Sequence, residues 1–261
     1  VDHYLFTVFA FIFGSAIGSF LNVVRYRLPR KRGFVSGRSK CPGCGARIGW
    51  YDNIPIVSFL ILGGKCRSCG TGISWEYFIT EVATGLCFVL IWLNFPPGRA
   101  IAYFVFASIL IACAGIDYDF RIIPDRLTLP GTVLGLAFSL TLLRGPSYMD
   151  SLFDSVIGAV VGGGVLLAVS MVYKAVRGAE GMGGGDIKLM GMVGAFLGYK
   201  MALLTIFIAS VGGAVVGLFL SRRAQEGMRA ALPFGVFLSP AALISLLWGA
   251  DIIDAYMALL R

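Results

Sequence analysis

Apolar positions along this chain come in long runs, at about 4–24, 78–95, 100–116, 127–143, 155–173, 187–199, 201–220 and 233–250. Neither strand alternation nor a one-sided helical stripe describes them. Runs approaching 20 residues predict helices that cross a bilayer, and the eight of them predict an all-α polytopic membrane protein of about eight spans. The run at 187–199 is the shortest, and its separation from 201–220 is the least marked. Phe95-Pro96-Pro97-Gly98 and Arg144-Gly145-Pro146-Ser147 are turn signals between successive runs. Gly158, Gly162, Gly163 and Gly164 in the fifth run, and Gly212, Gly213 and Gly217 in the seventh, predict close helix–helix packing.

One polar stretch, 25–77, is long enough to form a subdomain, so the expected organisation is a first span (1–24), a polar subdomain (25–77) and a membrane core (78–261). Composition agrees, with 57% of residues hydrophobic and 14% charged. A soluble domain carries about 25% charged residues. The net charge of +8 would point to nucleic acid in a soluble protein, yet no nucleic-acid motif is present. The charges are instead one-sided. The loops 25–77, 117–126, 174–186 and 221–232, with Lys188, hold about 18 of the 22 Lys and Arg. The positive-inside rule makes those loops cytosolic and puts both ends of the chain outside. The first run has no basic start and no small-residue cleavage site, and is not expected to be a signal peptide.

Cysteine usage changes the picture of the polar stretch. Cys41-Pro-Gly-Cys44-Gly and Cys66-Arg-Ser-Cys69-Gly are two matching knuckles. Four thiolates at this spacing suit one tetrahedral zinc, and each trailing glycine permits a tight turn. Two disulfides are the alternative, disfavoured in a reducing cytosol. With all four positions filled by sulfur, the metal is structural rather than catalytic. Cys87 and Cys113 lie inside apolar runs and are expected to be packing residues.

Ionisable groups at the ends of spans mark candidate chemistry. Asp117 closes the third run, followed by Tyr118, Asp119, Phe120, Arg121, Ile122, Ile123, Pro124 and Asp125. Asp186 opens the sixth, after Glu180, Gly181, Met182, Gly183, Gly184 and Gly185. Both fall on the side assigned to the cytosol. Two facing carboxylates are the minimum equipment of an aspartic protease, one ionised to activate water and one protonated to polarise the peptide carbonyl. The glycines before Asp186 let backbone and an extended substrate approach closely. Asp119 and Asp125 read as interfacial loop charges, with Asp125 capping the fourth span.

At this point the residues resemble those of the bacterial type IV prepilin peptidases. The resemblance rests on Gly18-Ser-Phe-Leu-Asn-Val-Val-Arg-Tyr-Arg-Leu-Pro29, on the two knuckles around Asp52-Asn-Ile-Pro-Ile-Val-Ser58, on Ile116-Asp117 through Pro124-Asp125, on Glu180 through Met190, and on Pro233-Phe-Gly235. It implies a Gly-x-Gly-Asp membrane aspartic protease with Asp117 and Asp186 as catalytic dyad. Asp117 precedes Arg121 by four and Pro124-Asp125 by seven, the offsets of the catalytic aspartate in related archaeal enzymes. It implies removal of the basic leader from type IV prepilins or type II secretion pseudopilins at the cytosolic face of the bacterial inner membrane. It further implies N-methylation of the new first residue with S-adenosylmethionine. Beyond structural zinc, membrane lipid and these substrates, no nucleic-acid partner is expected. Glu180, Gly183 and Gly185 are candidate substrate contacts, Glu180 for the basic leader. Three positions depart from the family pattern: Glu76 where a basic or amide residue is usual, and Phe78 and Val236 where proline is. The competing readings are a Gly-x-Gly-Asp protease acting on other transmembrane substrates, and a zinc-stabilised channel or scaffold.

Overall fold

The computed structural model describes residues 2–31, 33, 39–143, 148–178, 181–223 and 233–259. The turn expected at 144–147 lies outside them. Among the described residues the regular structure is helical, with no strand; the helices are α1 (Asp2–Arg27), α2 (Val57–Ile61), α3 (Trp75–Asn94), α4 (Pro97–Phe120), α5 (Asp125–Ser139), α6 (Tyr148–Arg177), α7 (Gly184–Arg223) and α8 (Gly235–Leu259). A single 3-10 turn covers Trp50–Asn53. Six of these helices are long and apolar enough to cross a membrane, which makes the protein multi-pass. The 15-residue α5 is shorter than the run 127–143 that it occupies.

The two runs at 187–199 and 201–220 both lie in α7, which is broken at Gly198, where φ is 77° and ψ 173°. The break is a reversal. Methyl groups added at Gly185 and Gly235 would meet the same side chain, Ile123, and one at Gly213 would lie 3.9 Å from the ring of Phe234. Residues 185 and 213 therefore share one end, whereas a straight helix would separate them by roughly 42 Å. At the other end Gly249 faces Met201 and Leu204. The arms 184–197 and 199–223 (α7a and α7b) are antiparallel, and the eight apolar runs correspond to eight helical segments. Asp154 of α6 fills the space beside Gly198, a position where only glycine adopts the backbone without strain.

The chain divides into two compact units, 1–100 and 101–261. In the first, α1 packs on α3 through glycines: Gly14 lies against Gly85 and Phe88, and Gly18 against the backbone of Thr80 and Glu81. In the second, α6 packs on α7a with Gly158 against the backbone of Gly194 and Gly162 against that of Met190. The Ser155 hydroxyl donates to Ala195 O at 2.5 Å. Such approaches let backbones interlock where no hydrophobic effect drives helices together. Gly212 and Gly213, by contrast, have only ordinary contact with Phe237. Cys87 and Cys113 are buried, as expected of packing residues.

Candidate active site and candidate metal centre

Asp117 sits in the last turn of α4, which stops when Arg121 adopts φ 55° and donates its amide to Asp117 O at 2.9 Å. The chain then runs through Ile123 into α5. Pro124 is the N-cap of α5 and supplies no side-chain cap. Asp125 is thus one residue inside the helix rather than capping it. Its carboxylate instead pairs with Lys188 of α7a at 2.6 Å, which ties the start of α5 to the start of α7.

Asp186 sits in the first turn of α7. Its amide donates to Gly183 O at 3.2 Å, and its carboxylate accepts from the Gly183 amide, half of a capping box. Asp117 and Asp186 are 5% and 8% exposed, whereas Asp119 is exposed, so burial separates the chosen aspartate from its neighbour two residues on. The two buried carboxyls are in electrostatic contact with each other. Glu180 lies outside the described residues.

The N-terminus of α8 completes this cluster. The backbone amides of Gly235 and Val236 hydrogen-bond to the Asp117 carboxyl. A methyl group at Gly235 would lie 2.8 Å from Asp117 Oδ2 and 2.7 Å from Ile123 Cδ1; one at Gly185 would lie 2.8 Å from Ile123 Cβ and 3.2 Å from its carbonyl oxygen. Both helix starts can close on the 121–125 turn only because these two positions lack a side chain. The Pro233-Phe-Gly235 motif is noticeable in the sequence, but its role as the partner of Asp117 is not. Asp117 Oδ2 is buried without a hydrogen-bonding partner. An orphaned oxygen of this kind is costly in a structural residue and suits one that takes a proton or a ligand during turnover.

The first unit holds the four cysteines. Their knuckles are built alike: Gly45 N donates to Cys41 O and Gly70 N to Cys66 O, both at 2.9 Å. Cys41 N donates to Ala46 O at 2.9 Å and Cys66 N to Thr71 O at 2.8 Å. Gly45 and Gly70 both have positive φ, 70° and 72°, as the tight turns require. The four sulfurs lie within 4.8 Å of one another, with Cys41 and Cys69 at 3.7 Å. Tetrahedral zinc with bonds of 2.3 Å separates its sulfurs by about 3.8 Å. The donor set and its dimensions therefore fit such an ion, and the spacings are far too long for disulfides. The Thr71 hydroxyl, 3.1 Å from the Cys69 sulfur, is the chief cause that brings that thiol down to about 6. Arg67, between the second pair, is bound to Asp52 at 2.6 Å and holds its carboxyl below the usual range.

The departures from the family pattern have local uses here. Glu76 pairs with Arg25 of α1 at 2.6 Å. Phe78 joins Phe59 and Trp75 in an aromatic cluster, with centroids 5.2 and 5.8 Å away. Val236 offers Asp117 an amide that proline could not.

A multi-pass helical protein with two buried, interacting carboxylates at helix ends and a four-cysteine cluster is the class that fold and site define. The chain belongs to the type IV leader peptidase family. The profile of that family matches residues 104–218, and that of the bacterial peptidase A24 N-terminal domain matches residues 12–95. A protein of Pseudomonas putida named prepilin leader peptidase/N-methyltransferase is 37% identical, over 98% of this chain and 95% of its own length. One of Pseudomonas aeruginosa with the same name is 36% identical over 97% and 93%, and one of Myxococcus xanthus is 40% identical over 83% and 63%. No solved structure matches the chain.

Proposed function

We propose that this chain cleaves the leader from type IV prepilins or type II secretion pseudopilins and N-methylates the residue so freed, with Asp117 and Asp186 as the proteolytic dyad. The observation that carries the reading is the pair of buried, interacting carboxylates on the ends of α4 and α7a, inside the region that matches the leader peptidase family. One carboxylate, ionised, takes a proton from water as the oxygen attacks the scissile carbonyl. Its partner, protonated, donates to the carbonyl oxygen. As the tetrahedral intermediate collapses, the first carboxyl passes the proton it took from water to the leaving amine, and the partner takes its own proton back from the hydroxyl. The amides of Gly235 and Val236 orient Asp117, and the Gly183 amide orients Asp186.

Gly183 and Gly185 would give an extended leader close access, and Glu180 would meet its basic residues. The positive-inside distribution of Lys and Arg supports a site on the cytosolic face of the inner membrane. Cys41, Cys44, Cys66 and Cys69 would hold structural zinc, which fixes the knuckles of a polar lobe with little core of its own. Methyl transfer from S-adenosylmethionine is assigned to the first unit, because the leader peptidase profile spans only the second.

Purified protein in detergent, given a prepilin and S-adenosylmethionine, should release the leader and leave a product heavier by one methyl group. An intact substrate would refute the reading. Cleavage of unrelated transmembrane helices at the same rate would favour a general membrane protease.

A further inference from the structure

Glu81 is a carboxylate on α3, within a membrane span, that the mechanism above does not use. It is 8% exposed and its backbone packs against Gly18 of α1. Its hydrogen-bond donors are the Ile56 amide, at 2.7 Å, and the Ser19 hydroxyl. Among the described residues no Lys, Arg or His pairs with it; Arg25, a cation of the same unit, pairs with Glu76. A buried carboxylate without a counter-charge is among the costlier arrangements in a fold, and intramembrane carboxylates are characteristically functional.

The second observation is the backbone that Glu81 holds. Ile56 has φ 64° and ψ −54°, and Val57 N donates to Pro55 O at 2.6 Å. This is the γ-turn of the rare, strained hand, on a β-branched residue. Strain of this kind persists where surrounding structure imposes it and concentrates at functional sites. Here the Glu81 carboxylate takes the strained residue's amide, while Ser58 Oγ accepts from Ile54 N at 3.0 Å and donates to Tyr51 O at 2.9 Å. Carboxylate and strained turn form one assembly within the unit to which methyl transfer is assigned.

We propose that Glu81 is the carboxylate that receives the free amino terminus of the cleaved substrate and takes its proton before methyl transfer; this rests on the methyltransferase reading above. A carboxylate has about four lone-pair directions, and two donors leave capacity for an ammonium. An ammonium has N–H groups to donate and supplies the missing charge; a sulfonium has no proton to give, and aromatic faces suit it better. Glu81 lies six residues beyond Trp75, the first of α3, about 9 Å along the axis. That depth suits the end of an apolar substrate helix better than a polar methyl donor arriving from water. In the step, one N–H proton passes from the ammonium to Glu81. The freed nitrogen lone pair forms the N–C bond to the methyl carbon. The C–S bond breaks with its electrons returning to sulfur, which leaves a neutral thioether and a secondary ammonium. Glu81 then releases its proton to water.

The test uses Glu81→Gln in the full chain. Glutamine is isosteric and keeps an oxygen for the Ile56 amide but cannot take a proton. Three quantities are measured on one preparation: leader cleavage, methylation of a mature-length pilin with a free amino terminus, and binding of S-adenosylmethionine. The inference expects cleavage, zinc content and S-adenosylmethionine affinity to be unchanged, and methylation to fall by roughly 100-fold or more. Methylation at the wild-type rate would overturn it. So would weakened S-adenosylmethionine binding, which would place the methyl donor's charge on Glu81, or joint loss of cleavage, methylation and zinc, which would make Glu81 a prop of the fold. A wild-type chain that cleaves but never methylates would instead refute the methyltransferase reading itself.

Discussion

At the residue scale, glycine matters as much as aspartate. Gly185 and Gly235 flank Ile123, and through it the two helix starts that carry or orient the dyad are pressed onto one turn. An added methyl at Gly185 meets Ile123 Cβ and backbone, which have nowhere easy to go. At Gly235 it meets the Asp117 carboxyl directly. Gly185→Ala and Gly235→Ala should therefore insert normally yet lose about 100-fold in cleavage rate, the cost of displacing catalytic groups by about an ångström. Rates measured on proteins with unaltered zinc content check this; near-normal turnover by either would show that the helix starts can shift without penalty. The aspartates were legible in the sequence because a charge at the end of an apolar run is conspicuous. The Gly235 and Val236 amides were not legible, because backbone donors leave no mark in side-chain chemistry. Nor was Glu81, one acid inside a run otherwise read as a span. The expected cap at Asp125 failed because Pro124 already occupies the N-cap position, which frees the carboxylate for Lys188.

At the element scale, the knuckles were readable in detail, since paired Cys-x-x-Cys-Gly turns constrain both spacing and backbone. The matching hydrogen bonds and the positive φ of Gly45 and Gly70 follow from that constraint. One zinc per chain is the expected metal content after mild purification. Its removal by a chelator should disorder the lobe around Cys41–Cys69 and reduce methylation more than cleavage, because the dyad stands in the other compact unit. Equal sensitivity of both activities, or a protein that never carried zinc, would count against this. The two arms of α7 read in the sequence as a short run at 187–199 and a full-length one at 201–220 with little to separate them, and Gly198 explains the ambiguity. Lys200 is the one charge at the turn, and in place of a polar loop the chain reverses at a single residue in a conformation that glycine alone adopts freely. The γ-turn at Ile56 could not be anticipated, since nothing in its sequence favours positive φ.

At the scale of the whole molecule, length and apolar composition describe a multi-pass protein. A prepilin presents a basic leader followed by an apolar helix, so recognition should combine a helix among the spans with acids near the cleavage point. Glu180→Gln should raise the apparent KM for prepilin at low salt and leave it unchanged for a leader whose lysines are neutralised. A single pair of opposite charges of this kind contributes roughly 1 kcal/mol, which bounds the effect near a few-fold. Equal losses on both substrates would assign Glu180 to loop structure or catalysis. The membrane architecture was legible because spans must be long and apolar. The pairing of helices was not, because it depends on which small residues meet.

The most direct measurement is the mass of a prepilin after incubation with the wild-type chain and with Asp117→Asn, Asp186→Asn and Asp119→Asn, each verified as inserted and zinc-loaded. The wild-type chain should release the leader, and both Asp117→Asn and Asp186→Asn should leave it intact. Asp119→Asn, altered at an exposed position, should cleave faster than Asp117→Asn. Leader release by either dyad variant at a rate near wild type, or an Asp119→Asn protein more impaired than Asp117→Asn, would contradict the assignment of these two buried carboxylates.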